Sequence, residues 1–205
     1  ISTQYIERFL DNDSLSNVKS YIVKYEGHTL YVLSLITSNI TLVYDFNEKS
    51  WYNFTSQANG VETYFTPTFF ASIGSTKYLL DDTTGVISIF STSAYSDLSN
   101  NIWIRCVSPL LDAGSTKAKF FRKVELIGNK VSATASITHS DNDYGSWSSS
   151  RSINLAANRA RIVACGRATR RSIQLLITDN QPIRLEAVEL EIDAGRMDNQ
   201  QAANN

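Results

Sequence analysis

Apolar and polar residues alternate with period two over most of this chain, and the alternation is punctuated by short runs of Gly, Asp, Asn and Ser. That period belongs to β-strands, whose successive side chains point to opposite faces of a sheet. Only the beginning reads otherwise: Thr3 can cap a short helix in which Ile6, Phe9 and Leu10 share one face. Tyr21, Val23 and Tyr25 then alternate up to a Glu26-Gly27 turn, and Leu30 to Ile36 form a dense apolar strand. A strand without a polar face is expected to be covered on both sides. Next, Ile40, Leu42, Tyr44 and Phe46 alternate with Thr41, Val43 and Asp45. Asn47-Glu48-Lys49 turns the chain, and Trp51, Asn53 and Thr55 alternate with Tyr52 and Phe54.

Residues 77–90 repeat this scheme as a strand, a turn of Asp81-Asp82-Thr83-Thr84-Gly85, and a second strand from Val86 to Phe90. The spacing from Asp45 to Asp81 is close to one blade of a radial repeat, roughly 40 residues. Residues 1–100 are therefore expected to form propeller-like antiparallel blades. Ser, Asn, Asp, Gly and Pro cluster between residues 95 and 117, which places a boundary between Asn100 and Gly114. In the second part, 101–195, strands are expected at Phe120 to Ile127, Val131 to His139, Arg159 to Cys165, Ser172 to Thr178 and Arg184 to Ile192. The clearest puts Val131, Ala133, Ala135, Ile137 and His139 on one face. In the last strand the apolar positions change parity, predicting a bulge near Ala187-Val188. This part reads as a β-sandwich, and the polar tail 196–205 as disordered. The fold class is all-β throughout.

Composition narrows the field. With 205 residues, 19% of them charged, and a net charge of −1, nothing pulls the whole molecule towards nucleic acid or a charged membrane. The longest apolar run is far too short to span a bilayer, and no signal-peptide pattern opens the chain. Residue 1 is Ile and the only methionine is Met197, so the chain is expected to be a piece of a longer product. Cys106 and Cys165 lack metal-ligand spacing and are read as partly buried free thiols of a reducing cytoplasm, with a single bridge as the alternative. Asn12, Asn39 and Asn53 head N-x-S/T triplets, which carry weight only in a secreted protein.

Candidate chemistry is thin. His28 and His139 stand outside any metalloprotease spacing, and His139, at the end of an apolar strand face, is expected to be a hydrogen-bonded core residue. There is no G-x-S-x-G elbow and no phosphate-cradling glycine loop. The carboxylates come as turn doublets, Asp81-Asp82 and Asp141/Asp143, where Asp and Asn ordinarily bond their own backbone. Residues 140–147, SDNDYGSW, look like a degenerate Asp-box of sialidase propellers, one residue short between Gly145 and Trp147. In such a box the acid caps the turn, glycine takes the positive φ, and tryptophan packs beneath. A calcium loop is disfavoured because the acidic ligands stop too early, so neither metal nor cofactor is expected. Asp45, Trp51, Asp81, Gly85, Asp141, Asp143, Gly145 and Trp147 are thus structural turn residues. Arg159, Arg161, Arg167, Arg170 and Arg171 form a basic cluster, read either as a solvated face or as an interface to phosphate or an acidic partner.

Taken in order, these pieces resemble the tail hub proteins of short-tailed bacteriophages, also called packaged-DNA stabilisation or tail nozzle proteins. ISTQYIE (1–7), EGHTLYVLSL (26–35), TLVYDFNEKSW (41–51), YLLDDTTGVIS (78–88), SDNDYGSWSSSRSINL (140–155) and residues 165–192 carry the resemblance. It implies a virion protein without catalytic activity, made in the bacterial host cytoplasm. It implies a homo-oligomeric ring, usually sixfold, below the portal, which extends the DNA channel and helps to retain packaged DNA. The implied partners are the portal or adaptor, other tail proteins, and DNA touched without sequence preference through the arginine set. The rival reading is a carbohydrate-binding or sialidase-like propeller fragment, resting on the Asp-box-like turn and on Trp51, Tyr52 and Trp103 as sugar-stacking surfaces.

Overall fold

A computed structural model describes residues 3–12 and 15–194. The tail 196–205 lies outside the described residues. The chain divides into two compact units, Ile1–Ile102 and Trp103–Asn205. Both are built from antiparallel strands, none of the sheets closes on itself among the described residues, and the one helix is short.

The first unit opens with helix α1 (Gln4–Asn12), started as its sequence suggests: the Ile6 amide donates to Thr3 Oγ1 at 3.4 Å and the Glu7 amide to the Thr3 carbonyl at 2.9 Å. Five strands follow in sequence order in one meander: β1 (Val18–Tyr25), β2 (His28–Leu35), β3 (Ile40–Asp45), β4 (Ser50–Ala58) and β5 (Val61–Tyr64). The central strands are covered on both faces. Leu33, Leu35 and Leu42 point to α1 and pack with Ile6, Phe9 and Leu10. Val32 and Val43, of the other parity, pack with Val23, Phe54 and Phe70. Phe70 comes from a second sheet, β6 (Phe69–Ile73), β7 (Thr76–Leu80) and β8 (Ile87–Ile89), so one face of the five-stranded sheet is closed by a helix and the other by strands. Leu35, Leu42, Val32 and Val43 are at most 1% exposed, and burial of each such side chain contributes roughly 1.5–3 kcal/mol. A ribbon of β9 (Ser96–Asp97) and β10 (Asn100–Asn101) completes the unit.

The second unit contains β11 (Ile104–Val107), β12 (Lys119–Gly128), β13 (Thr134–Ser140), β14 (Arg151–Asn154), β15 (Ala160–Val163), β16 (Arg167–Ala168), β17 (Ser172–Ile177) and β18 (Leu185–Ala194). One sheet runs β11-β17-β13-β14. In the other, β12 pairs with β15 and β16 along one side and with β18 along the other. Ala135, Ile137, Ile173, Leu175 and Ile177 from the first sheet share one core with Phe121, Val124, Leu126 and Ala160 from the second. Ala133 is buried as its parity requires, but the β13 ladder begins only at Thr134, because the chain turns at residues 131–133, where the Ala133 amide bonds the Val131 carbonyl at 2.8 Å. The irregularity in β18 falls slightly earlier than the parity change suggests. Ile127 pairs with Ala187 and Gly128 with Leu185, so Glu186 is the extra residue. Gly128 makes this approach possible: a Cβ there would lie 2.3 Å from the Arg184 carbonyl oxygen.

Candidate functional site

The two acidic turns of the first unit use one device. Asp45 is buried, and its Oδ1 accepts the amides of Asn47 at 2.8 Å and Glu48 at 3.4 Å. Its Oδ2 meets His28 Nδ1 at 2.5 Å. Burial raises the Asp45 carboxyl, but the bonds from Asn47, His28 and Glu48 outweigh it and hold the group below the ordinary carboxylate range. Asp81 Oδ1 accepts the Thr83 amide at 2.9 Å and the Thr84 amide at 3.3 Å, while Oδ2 accepts the Thr84 hydroxyl at 2.9 Å. Gly85, at φ +70°, lets its amide return to the Asp81 carbonyl at 2.8 Å. Trp51 sits on the opposite face of the sheet from Asp45, 5.1 Å from the Tyr44 ring and against the α1 cluster.

The turn at residues 140–147 is built differently from an Asp-box, and three expectations are corrected. Ser140 and Asn142 hold it, not Asp141 and Asp143. Ser140 Oγ accepts the Tyr144 amide at 3.0 Å, and Asn142 Oδ1 accepts the Ser146 amide at 2.9 Å. The positive φ falls on Asp143 (58°) and Tyr144 (67°), not on Gly145. Trp147 does not pack beneath the turn: it is 36% exposed, 6.2 Å from the exposed Tyr144 ring. The missing residue leaves the indole without reach to the sheet below.

The carboxylates freed from turn duty take arginines instead. Asp141 grips Arg171 with both oxygens, Nε to Oδ1 at 2.7 Å and Nη2 to Oδ2 at 2.8 Å. The Arg171 side chain is only 3% exposed; Nη1 donates to the Cys165 carbonyl, and the guanidinium lies 4.5 Å over the Phe121 ring. Arg171 is thus removed from any interface or channel surface, a correction to its place in the basic cluster. Asp143 pairs with Arg170 nearer the surface. Arg159 makes a bidentate pair with Glu125, both bonds 2.9 Å, and Lys123 joins at 3.1 Å. The bonds from Arg159, then Lys123, pull the Glu125 carboxyl down to about 2. Arg167 lies 5.7 Å over the Phe120 ring. Arg161, with no ion-pair partner among the described residues, stands in an open groove of about 580 Å³ beside Phe120, Arg122, Lys123 and Val163.

Near Arg171 the fold also collects His139, Arg151 and Cys165. His139 Nδ1 lies 3.1 Å from Ser148 Oγ and its Nε2 4.0 Å from Asp141. Burial, then the nearby Arg171 charge, depresses the imidazole pKa. The void at this cluster is about 10 Å³, room for a single water and no substrate. Both cysteines are free; Cys165 is buried, whereas Cys106 is exposed rather than partly buried. Among the described residues no group of three or more His, Cys, Asp or Glu could hold a metal ion, and no helix is long and apolar enough to cross a membrane.

Glu125 and Lys119 escaped the sequence reading. Lys119 is 1% exposed, and its Nζ donates to the carbonyls of Ser115 (2.5 Å), Lys117 (2.8 Å) and Thr169 (2.6 Å). The signal for Glu125 was a lone acid inside the apolar run of β12, opposite a strand flanked by arginine. Comparison with protein-family models and with curated proteins finds no match for the chain.

Proposed function

We propose that this chain is an architectural component of a short-tailed phage virion, part of a ring below the portal that extends the DNA channel and helps to retain packaged DNA. In this reading the β1–β5 and β6–β8 sheets are two propeller-like blades, and the second unit is a β-sandwich. The observation that carries it is the use of the titratable side chains. Asp45 and Asp81 tie turns, while Asp141, Asp143 and Glu125 hold Arg171, Arg170 and Arg159 respectively. Groups spent on backbone amides and ion pairs stiffen a scaffold and are not poised for proton transfer. Arg161 and Arg167, with Arg159 and Arg170 partly exposed beside their partners, remain as the surface through which a channel wall would meet phosphate.

Native mass spectrometry and negative-stain electron microscopy of the assembled product test the reading. A closed ring supports it. Charge reversal at Arg161, Arg167 and Arg170 together is expected to weaken salt-dependent DNA retention. A discrete monomer with no affinity for portal or tail proteins overturns it. The exposed Tyr144–Trp147 pair favours a second reading, a carbohydrate-binding surface, since two tilted aromatic rings offer faces for sugar stacking. Binding on a glycan array that is lost in Trp147→Ala would establish that reading instead.

A further inference from the structure

The two sheets of the second unit differ in width. The first has four strands in the order β11-β17-β13-β14, whereas the second has three columns, with β15 and β16 along one side of β12 and β18 along the other. β14 and β15 meet at one end of the sandwich, where Arg151 Nη2 donates to the Val163 carbonyl at 2.8 Å. At the other end the fourth strand of the wider sheet, β11, has no counterpart beyond β18 among the described residues. A cleft of about 330 Å³ opens there, lined by Cys106, Leu111 and Leu175 on one side and by Leu126, Val188 and Leu190 on the other. Cys106 pairs with Leu175, which sets it on the inward face of its sheet, yet it is exposed. Val188 pairs with the buried Leu126, is inward by the same rule, and is 45% exposed. β18 runs for 10 residues, and among the described residues its one ladder is with β12, so the main-chain groups of its other side lack a strand partner. An edge guarded against pairing carries a charge or proline facing inward. β18 instead presents Val188, Leu190 and Ile192 there, and its bulge at Glu186 leaves residues 187–193 regular.

We propose that this edge takes one extended strand from another protein, with apolar side chains at alternate positions and Lys or Arg between them. Paired with β18, that strand is the fourth column of its sheet and faces β11. Its inward side chains fill the cleft, and its backbone bonds the free side of β18. Its outward side chains meet Glu189, Glu191 and Asp193, which alternate with the inward row. These acids already touch cations on their inland side. Arg122 pairs with Asp193, Lys123 lies 3.8 Å from Glu191, and the Glu189 charge acts on Arg159. The side chains of Glu191 and Asp193 are nevertheless 55% and 47% exposed, so both keep acceptor capacity towards solvent. The same row disfavours a second copy, because antiparallel pairing of β18 with itself sets carboxylate opposite carboxylate. The C-terminal residues of the chain do not qualify either, since 195–205 hold a single large apolar side chain, Met197. The inference is independent of the proposed tail role.

The test adds a fluorescent peptide of about ten residues, valine alternating with lysine, to the full chain and follows its anisotropy. It is expected to bind at least ~10-fold more tightly than the peptide with glutamate in place of lysine. N-methylation of alternate backbone amides keeps the side chains but removes the main-chain donors of one edge, and is expected to abolish binding. Val188→Lys places a charge at an inward edge position and is expected to weaken binding at least ~10-fold, with circular dichroism as the check on folding. Cys106 reads position: a peptide with one cysteine facing inward is expected to form a disulfide with it under mild oxidation, and a peptide with the cysteine facing outward is not. The adduct should vanish in Cys106→Ser. Absence of binding at about 1 mM peptide, or equal binding of the N-methylated or glutamate peptide, overturns the proposal. Self-association of the chain that Val188→Lys abolishes would assign the edge to a second copy and overturn it as well.

Discussion

The pair Asp141–Arg171 lends itself to a quantitative test, because one partner is buried and the other is not. Arg171 is 3% exposed and Asp141 38%. Asp141→Ala therefore leaves a guanidinium deep in the second unit with one remaining acceptor, the Cys165 carbonyl. Stranding a buried charge costs 3–5 kcal/mol, and partial access of water through the vacated Asp141 site puts the loss near the lower end, about 3 kcal/mol. Arg171→Met removes the charge and keeps the apolar stem over Phe121. Asp141 then turns to solvent, and the cost reduces to the orphaned carbonyl and lost packing, about 2 kcal/mol. The double variant is expected to cost no more than Arg171→Met alone, leaving a coupling of about 3 kcal/mol. Urea unfolding followed by tryptophan emission in a Trp51→Phe background reads the second unit through Trp103 and Trp147. An Asp141→Ala loss below about 1 kcal/mol, or losses that simply add in the double variant, would refute the assignment of Arg171 as a buried, singly anchored cation.

Lys119→Met is expected to destabilise the second unit by about 2–3 kcal/mol in the same assay, because three carbonyls lose one shared donor, although those of Ser115 and Lys117 lie where water can return. Asp81→Ala removes three accepted hydrogen bonds from the β7-β8 turn and is expected to cost the first unit about 1–2 kcal/mol, measured through Trp51 emission. Gly128→Ala forces a Cβ into the Arg184 carbonyl and should lower the melting temperature of the second unit, while the same substitution at Gly27, which meets nothing within 4 Å, strains only its own turn. The Glu125 carboxyl falls from 4.5 to about 2 on folding, so its contribution is complete above pH 4.5 and disappears as pH falls through 2. Acid titration of Glu125→Gln should lack that part of the stability loss, and an unchanged acid limb would count against the Arg159–Glu125 pair.

Local chemistry was legible in the sequence. Period-two alternation from Tyr21 to Phe54 and again from Lys77 to Phe90 marked the strands, because side-chain direction along a strand depends on nothing beyond the neighbouring residues. The turns at Asp45 and Asp81 were equally readable, since a carboxylate that bonds amides two and three positions ahead needs only its own segment. The turn at residues 140–147 misled: the same residue types were present, but one position fewer redistributed their roles, so Ser140 and Asn142 took the amides and the carboxylates turned outward to arginine. Which arginine each acid meets was not legible at all. Arg171 lies 30 positions from Asp141 and Arg159 34 from Glu125, and strand pairing across the second unit brings them together. The same pairing buried Lys119 and Arg171, which look like solvent residues in isolation. Burial, partner choice and the open cleft between β11 and β18 all follow from which strands stack on which, and a one-dimensional pattern of side chains does not encode that stacking directly.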